Sequence, residues 1–126
     1  MPTLLSTSLT VLTMDDDPWF RALVRTHLNA VGHRTIEAGS VHEALQVLRR
    51  EHVDVLLADL VMPEETGFAA IAKARQEFPG LKILAVSGVY AGQGNVQAVT
   101  LLGADGALEK PFTAAGFTDA LDSLLG

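Results

Sequence analysis

The sequence predicts an α/β domain built on a parallel sheet, and three observations carry that prediction. Five short segments rich in apolar or β-branched residues alternate with five segments of helical periodicity. The strongest short segment, Val53–Ala58 (VDVLLA), is nearly all apolar, as a strand covered on both faces should be. Aspartates and other polar residues fall directly after the ends of the strand segments rather than being spread along the chain. A chain of 126 residues is the size of one domain and can bury roughly two-thirds of its unfolded surface in a core.

Leu9–Met14 (LTVLTM) is the first predicted strand. It stops at Asp15-Asp16-Asp17-Pro18, where acidic residues followed by proline mark a helix start. Phe20, Leu23, Val24, Leu28 and Val31 then recur at helical spacing, and Gly32 supplies the stop. Arg34–Ala38 (RTIEA) is a short second strand. Ser40-Val41-His42-Glu43 has the form of a capping box, and Ala44, Leu45, Val47 and Leu48 share the face of the helix behind it. Val53–Ala58 runs into Asp59-Leu60-Val61-Met62-Pro63, with a helix from about Gly67 to Phe78. Pro79-Gly80 breaks that helix, and Leu81–Val86 (LKILAV) is a fourth strand ending in Ser87-Gly88. Val89–Asn95, with Gly92 and Gly94, is expected as a loop before a helix carrying Val96, Val99, Leu101 and Leu102. Gly103–Gly106 turns into a fifth strand, Ala107–Glu109; after Lys110-Pro111-Phe112, Thr113 caps a last helix bearing Phe117, Leu121, Leu124 and Leu125. Such alternation makes the sheet parallel, because each right-handed crossover helix returns the chain to the same edge.

Composition removes several function classes. The absence of cysteine excludes disulfides, thiolate metal sites and cysteine nucleophiles. The net charge is −6 and the nine basic residues form no run, so the electrostatic footprint of a nucleic-acid binder is missing. No apolar stretch approaches the ~20 residues of a membrane span, and Met1–Ser8 lacks the basic and apolar regions of a signal peptide. The expectation is a cytoplasmic protein with residues 1–8 as a tail and 9–126 as one domain.

The chemistry lies in the residues after the strands. Asp15-Asp16, Asp59, Ser87 and Lys110 follow the first, third, fourth and fifth strands, and open α/β sheets bind ligands at that carboxyl edge. Three carboxylates brought together repel and raise one another's pKa unless a cation joins them. Magnesium suits the role, being a hard ion with oxygen ligands that often meets phosphate. Lys110 offers a positive point charge and Ser87 a hydroxyl donor to phosphate oxygens. A charge-neutralised carboxylate can attack phosphorus and form an aspartyl-phosphate, so the pattern points to phosphoryl transfer onto the protein itself.

At these residues the sequence resembles response-regulator receiver domains. The resemblance rests on Asp15-Asp16-Asp17-Pro18 with Arg21, Asp59-Leu60-Val61-Met62-Pro63 with Gly67, Val86-Ser87-Gly88 and Glu109-Lys110-Pro111-Phe112, and covers about Leu9 to Leu125. It implies a doubly wound, flavodoxin-like sheet in the order 2-1-3-4-5 with five helices. It implies Asp59 as phosphoacceptor, Asp16 ligating magnesium directly, Asp15 directly or through water, and Val61 through its backbone carbonyl. Ser87 would bond the phosphoryl group and move on activation, Lys110 would pair with its oxygens, and the Lys110-Pro111 bond would be cis. The implied partners are a sensor histidine kinase or a histidine phosphotransfer protein, with a downstream protein partner or an output domain outside this chain. No nucleic acid or membrane contact is implied, and the module catalyses only its own phosphorylation and slow dephosphorylation.

Three positions depart from that pattern. Ala107 stands where receivers usually carry an aromatic residue that turns inward on activation. Val61 and Val89 stand two residues after Asp59 and Ser87, where many receivers have polar side chains that guide the hydrolytic water, so slow self-dephosphorylation is expected. The glycines between Val89 and Asn95 suggest an atypical fourth helix. Two other functions compete: a haloacid-dehalogenase-type phosphatase using Asp15 and Asp17, which leaves Asp59 unexplained, and a pseudo-receiver that binds partners without taking phosphate. His27, His33, His42 and His52 show no ligand spacing and are expected on helix surfaces or ends, Glu64-Glu65 in a solvated loop, and Trp19 on the surface near the acidic pocket.

Overall fold

The structure, a computed structural model, describes residues 8–62, 66–88, 99–110 and 112–125. Five parallel strands, β1 Thr10–Met14, β2 Arg34–Ala38, β3 Val55–Asp59, β4 Lys82–Ser87 and β5 Gly106–Glu109, form one sheet in the order β2-β1-β3-β4-β5. The helices are α1 Pro18–Ala30, α2 Val41–Arg50, α3 Gly67–Glu77, α4, described over 99–102, and α5 Ala114–Leu125. This is the α/β architecture, strand order and helix number that the sequence predicts.

Strict side-chain alternation divides the core between the two faces of the sheet. Leu12, Met14, Leu56, Ala58, Ile83 and Ala85 face α2 and α3, where they meet Ala44, Leu48, Ala70 and Ile71. Val11, Val55, Leu57, Leu84 and Val86 face α1 and α5, where they meet Val24, Leu28, Phe117 and Leu121. The central strands are therefore apolar on both faces, while β2 and β5, at the edges, are only partly covered.

Local signals fix the helix starts. Asp17 caps α1 by accepting the Trp19 amide, Ser40 caps α2 by accepting the Glu43 amide, and Thr113 accepts the Gly116 amide in the first turn of α5. The Glu43 carboxylate reaches back to the Gly39 amide, one residue before the cap, in a variant of the capping box. Gly32 ends α1 with φ at +90°.

Some expectations need correction. β3 starts at Val55 rather than Val53, and Asp54 closes the foot of the β1–β3 ladder, its amide donating to the Thr10 carbonyl and its carboxylate accepting the Thr10 amide. Strands β3 and β4 each run one residue further than predicted, so Asp59 and Ser87 are the last residues of their strands rather than the first beyond them. Leu23, Val31, Leu101 and Leu125 are exposed, not core; Leu23 lies beside Trp19 off the stripe formed by Val24 and Leu28. Pro63, Glu64-Glu65, the Val89–Asn95 segment, Val96 and the Lys110-Pro111 bond lie outside the described residues.

Gly67 opens α3 against the end of β3. A Cβ there would lie 1.9 Å from the Asp59 carbonyl oxygen and 2.6 Å from Leu60 Cα, both backbone atoms that cannot swing aside. Gly67→Ala is expected to lower stability by on the order of 2–3 kcal/mol, measured as a fall in the urea midpoint at unchanged slope. Gly80→Ala, which meets nothing within 4 Å, should change stability by less than about 0.5 kcal/mol.

Candidate functional site

The sheet register assembles the acidic site. Met14 pairs with Ala58, so Asp15 and Asp59 are the next residues on two adjacent strands. These strands flank the point where the strand order reverses, which is where open α/β sheets bind ligands. Backbone bonds hold them there: the Asp15 amide donates to Ala38 at 3.0 Å and the Leu60 amide to Val86 at 2.9 Å. Asp59 pairs with Val86, which places Ser87 one position beyond it on β4. The Lys110 amide donates to the Ser87 carbonyl at 2.6 Å, tying the lysine to the same edge.

One oxygen each of Asp15, Asp16 and Asp59 lies within 4.8 Å of the others, and these form the one such metal-type group found among the described residues. Asp15 and Asp59 are only 1% and 6% exposed, whereas Asp16 faces solvent. Each pair of charges at that separation repels by roughly 3–4 kcal/mol at an effective dielectric near 20. Partial compensation comes from three groups. Lys110 Nζ lies 2.7 Å from Asp15 Oδ2, the Asp17 amide donates to Asp15 Oδ1 at 2.9 Å, and the Val61 amide donates to Asp59 Oδ1 at 3.2 Å. It is incomplete: burial first, then the Asp15 charge, push the Asp59 carboxyl up from 3.8 to about 6. Lys110 and the Val61 amide oppose that rise, and Asp16 adds to it. Buried oxygen donors with an unmet negative charge fit a hard divalent cation.

The sequence-predicted residues converge. Asp15, Asp16 and Asp59 meet, Lys110 reaches Asp15, and Ser87 is buried at the end of β4. Val61 points its side chain into solvent, 73% exposed, and its observed contact with Asp59 is through the amide. Asp17 caps α1, its carboxylate accepting the Trp19 amide. Trp19 is 84% exposed at the start of α1, as expected. Sequence reasoning placed Arg21 in the receiver-like motif but missed its contact: the guanidinium donates to the Asp15 carbonyl at 2.6 Å while pairing with Glu37. It also missed Phe20, whose ring centre lies 3.9 Å from Lys110 Nζ. Phe20 carried only a core-spacing signal.

Residues 11–122 match the response regulator receiver domain family, and the chain belongs to it. A receiver domain is a phosphoacceptor signalling module of two-component systems, not a turnover enzyme, which sets aside the phosphatase alternative. Among individual proteins, the chain is 37% identical over 119 residues to the autoinducer 1 sensor kinase/phosphatase LuxN of Vibrio campbellii, covering 94% of this chain and 13% of that protein. It is 31% identical to the probable transcriptional regulatory protein TcrX of Mycobacterium tuberculosis, covering 93% and 50%. The chain thus spans half or less of the length of these two relatives. The chemotaxis protein CheY4 of Vibrio cholerae superposes with a TM-score of 0.87 at 27% identity, covering 94% of this chain and 99% of that one. A Burkholderia pseudomallei response regulator, solved with a phosphorylated aspartic acid, a calcium ion and citrate, superposes at 0.83 with 25% identity, covering 90% and 66%.

The raised Asp59 carboxyl makes stability depend on pH in the metal-free protein. The folded chain holds a proton that the unfolded chain releases, so this group's contribution is intact below about pH 4 and lost as the pH rises through about 6. With EDTA present, Asp59→Asn should therefore be more stable than the wild type at pH 8, by on the order of 1–2 kcal/mol. The gain should vanish toward pH 4, as followed by thermal unfolding; an equal gain at both pH values would contradict the charge origin.

Proposed function

We propose that Asp59 takes a phosphoryl group from a phosphohistidine donor in a magnesium-dependent reaction, and that this switches a protein-interaction surface. The observation that carries the reading is the gathering of Asp15, Asp16 and Asp59 at the switch point of the sheet with Lys110 against them. The three carboxylates, with the Val61 carbonyl, would hold magnesium, which when bound would neutralise negative charge in the site. An Asp59 carboxylate oxygen attacks phosphorus as the phosphorus–nitrogen bond to the donor imidazole breaks. The electron pair leaves with the imidazole nitrogen, which then takes up a proton. Lys110 bonds the transferred oxygens through N–H groups not used on Asp15, and the Ser87 hydroxyl closes on the phosphoryl group from β4. The phosphorylated aspartic acid of the Burkholderia response regulator supports this assignment.

The donor is a sensor histidine kinase or a histidine phosphotransfer protein, and the reaction takes place in the cytoplasm; no helix among the described residues is long and apolar enough to cross a membrane. The switched surface includes α4, β5 and α5 and passes the signal to a protein partner or to an output domain outside this chain. Ala107, paired with Ala85 and packed on the α2–α3 side of the core, offers no aromatic ring to move with Ser87.

Intact mass after incubation with acetyl phosphate and magnesium tests the reading. The expected result is a gain of one phosphoryl group that needs magnesium and is absent in Asp59→Asn; no gain from either acetyl phosphate or a phosphohistidine donor would make the chain a pseudo-receiver. The exposed apolar side chain of Val61 cannot orient water, so hydrolysis of the phospho-form should be slow. Val61→Asn should shorten its lifetime by roughly threefold to tenfold, measured as inorganic phosphate release, in line with a modest gain from positioning one water.

A further inference from the structure

The Lys110 ammonium has two neighbours of opposite character: the Asp15 carboxylate, 2.7 Å away, and the face of Phe20, with the ring centre at 3.9 Å. Phe20 lies in the first turn of α1, the helix whose cap, Asp17, directly follows the acidic pair. Its ring is held in turn by Phe112, nearly perpendicular at 88° and 5.7 Å between centres. Phe112 rests on the fully buried Phe117 at 5.6 Å. Phe112 stands two residues after Lys110, so one stretch of chain delivers both the ammonium and the brace for the ring beneath it.

An aromatic face attracts an ammonium through its negative quadrupole yet offers no lone pair that fixes the direction of the N–H groups. It also replaces water on one side of a strongly hydrated ion carried on a flexible four-carbon stem. An aliphatic side chain of equal bulk would fill the space without attracting the ammonium. We propose that Phe20 is a positioning residue for phosphoryl transfer, holding Lys110 at the acidic pocket so that its remaining N–H groups can reach a phosphoryl oxygen without the ammonium leaving the site. This role rests on the assignment of Asp59 as phosphoacceptor.

The full chain, isotope-labelled on lysine, allows the geometry to be read without any phosphoryl transfer. The ε-methylene signal of Lys110, identified by its loss in Lys110→Arg, should be displaced upfield by the Phe20 ring current relative to the exposed Lys73 and Lys82. Phe20→Leu should return it to the position of an exposed lysine, and Phe20→Tyr should keep it displaced. Mono-, di- and trifluorinated phenylalanine at position 20 then weaken the π face in steps at nearly constant shape. The rate of phosphoryl uptake from acetyl phosphate with magnesium should fall stepwise, by about fivefold to tenfold for the trifluorinated ring, as expected for loss of a partly desolvated cation–π contact. A rate that ignores fluorination overturns the positioning role. An undisplaced Lys110 signal in a chain that does accept phosphoryl groups overturns that role alone. A displaced signal in a chain that never accepts one overturns the phosphoacceptor assignment and the role of Phe20 with it.

Discussion

Repulsion among Asp15, Asp16 and Asp59 is the constraint on which the rest of the site depends. The β1–β3 register leaves no freedom to separate Asp15 from Asp59, because each is anchored by backbone bonds to a neighbouring strand. Both side chains are buried, so water cannot screen them. The fold answers with one lysine and two backbone amides, and the answer falls short, as the raised Asp59 carboxyl shows. A domain built this way carries a standing electrostatic deficit at its carboxyl edge, which a divalent cation can relieve and which a phosphoryl group on Asp59 would alter again.

The scaffold around that deficit is correspondingly stiff. The three central strands bear apolar residues on both faces, and α3 begins so close to β3 that only glycine fits at the junction. Arg75 links α3 to the turn before β5, donating to the Gly103 carbonyl at 2.9 Å and to the Asp105 carboxylate at 2.7 Å. Since β5 leads directly into Lys110, this tie helps set where the lysine emerges.

What the sequence revealed divides by the range of the interaction. The caps at Asp17, Ser40 and Thr113 and the stop at Gly32 are written within four residues of themselves, and all were legible. The parallel sheet was legible because alternation of segment types constrains topology. The foot of β3 was misread because Val53 extends the apolar run, while the residue that meets Asp54 there, Thr10, is 44 residues away. Apolar residues also mislead where a helix ends or turns outward, as at Val31 and Leu101. The acidic residues and the lysine were visible because their chemistry is unusual after strands. Phe20 was not seen as a neighbour of that chemistry, since it also satisfies an ordinary reading as core spacing, and Arg21 was visible in the motif while its bond to the Asp15 carbonyl was not.

The Asp15–Lys110 ion pair joins residues 95 positions apart, from the end of the first strand to the end of the last. Contacts of such sequence separation close large loops and come at a high entropic cost during folding. Until β5 is zipped onto β4, the acidic cluster lacks its lysine and β4 is left as an open edge. A chain caught part-way, or clipped before its last strand, therefore cannot present a finished site, and competence to receive a signal coincides with completion of the fold.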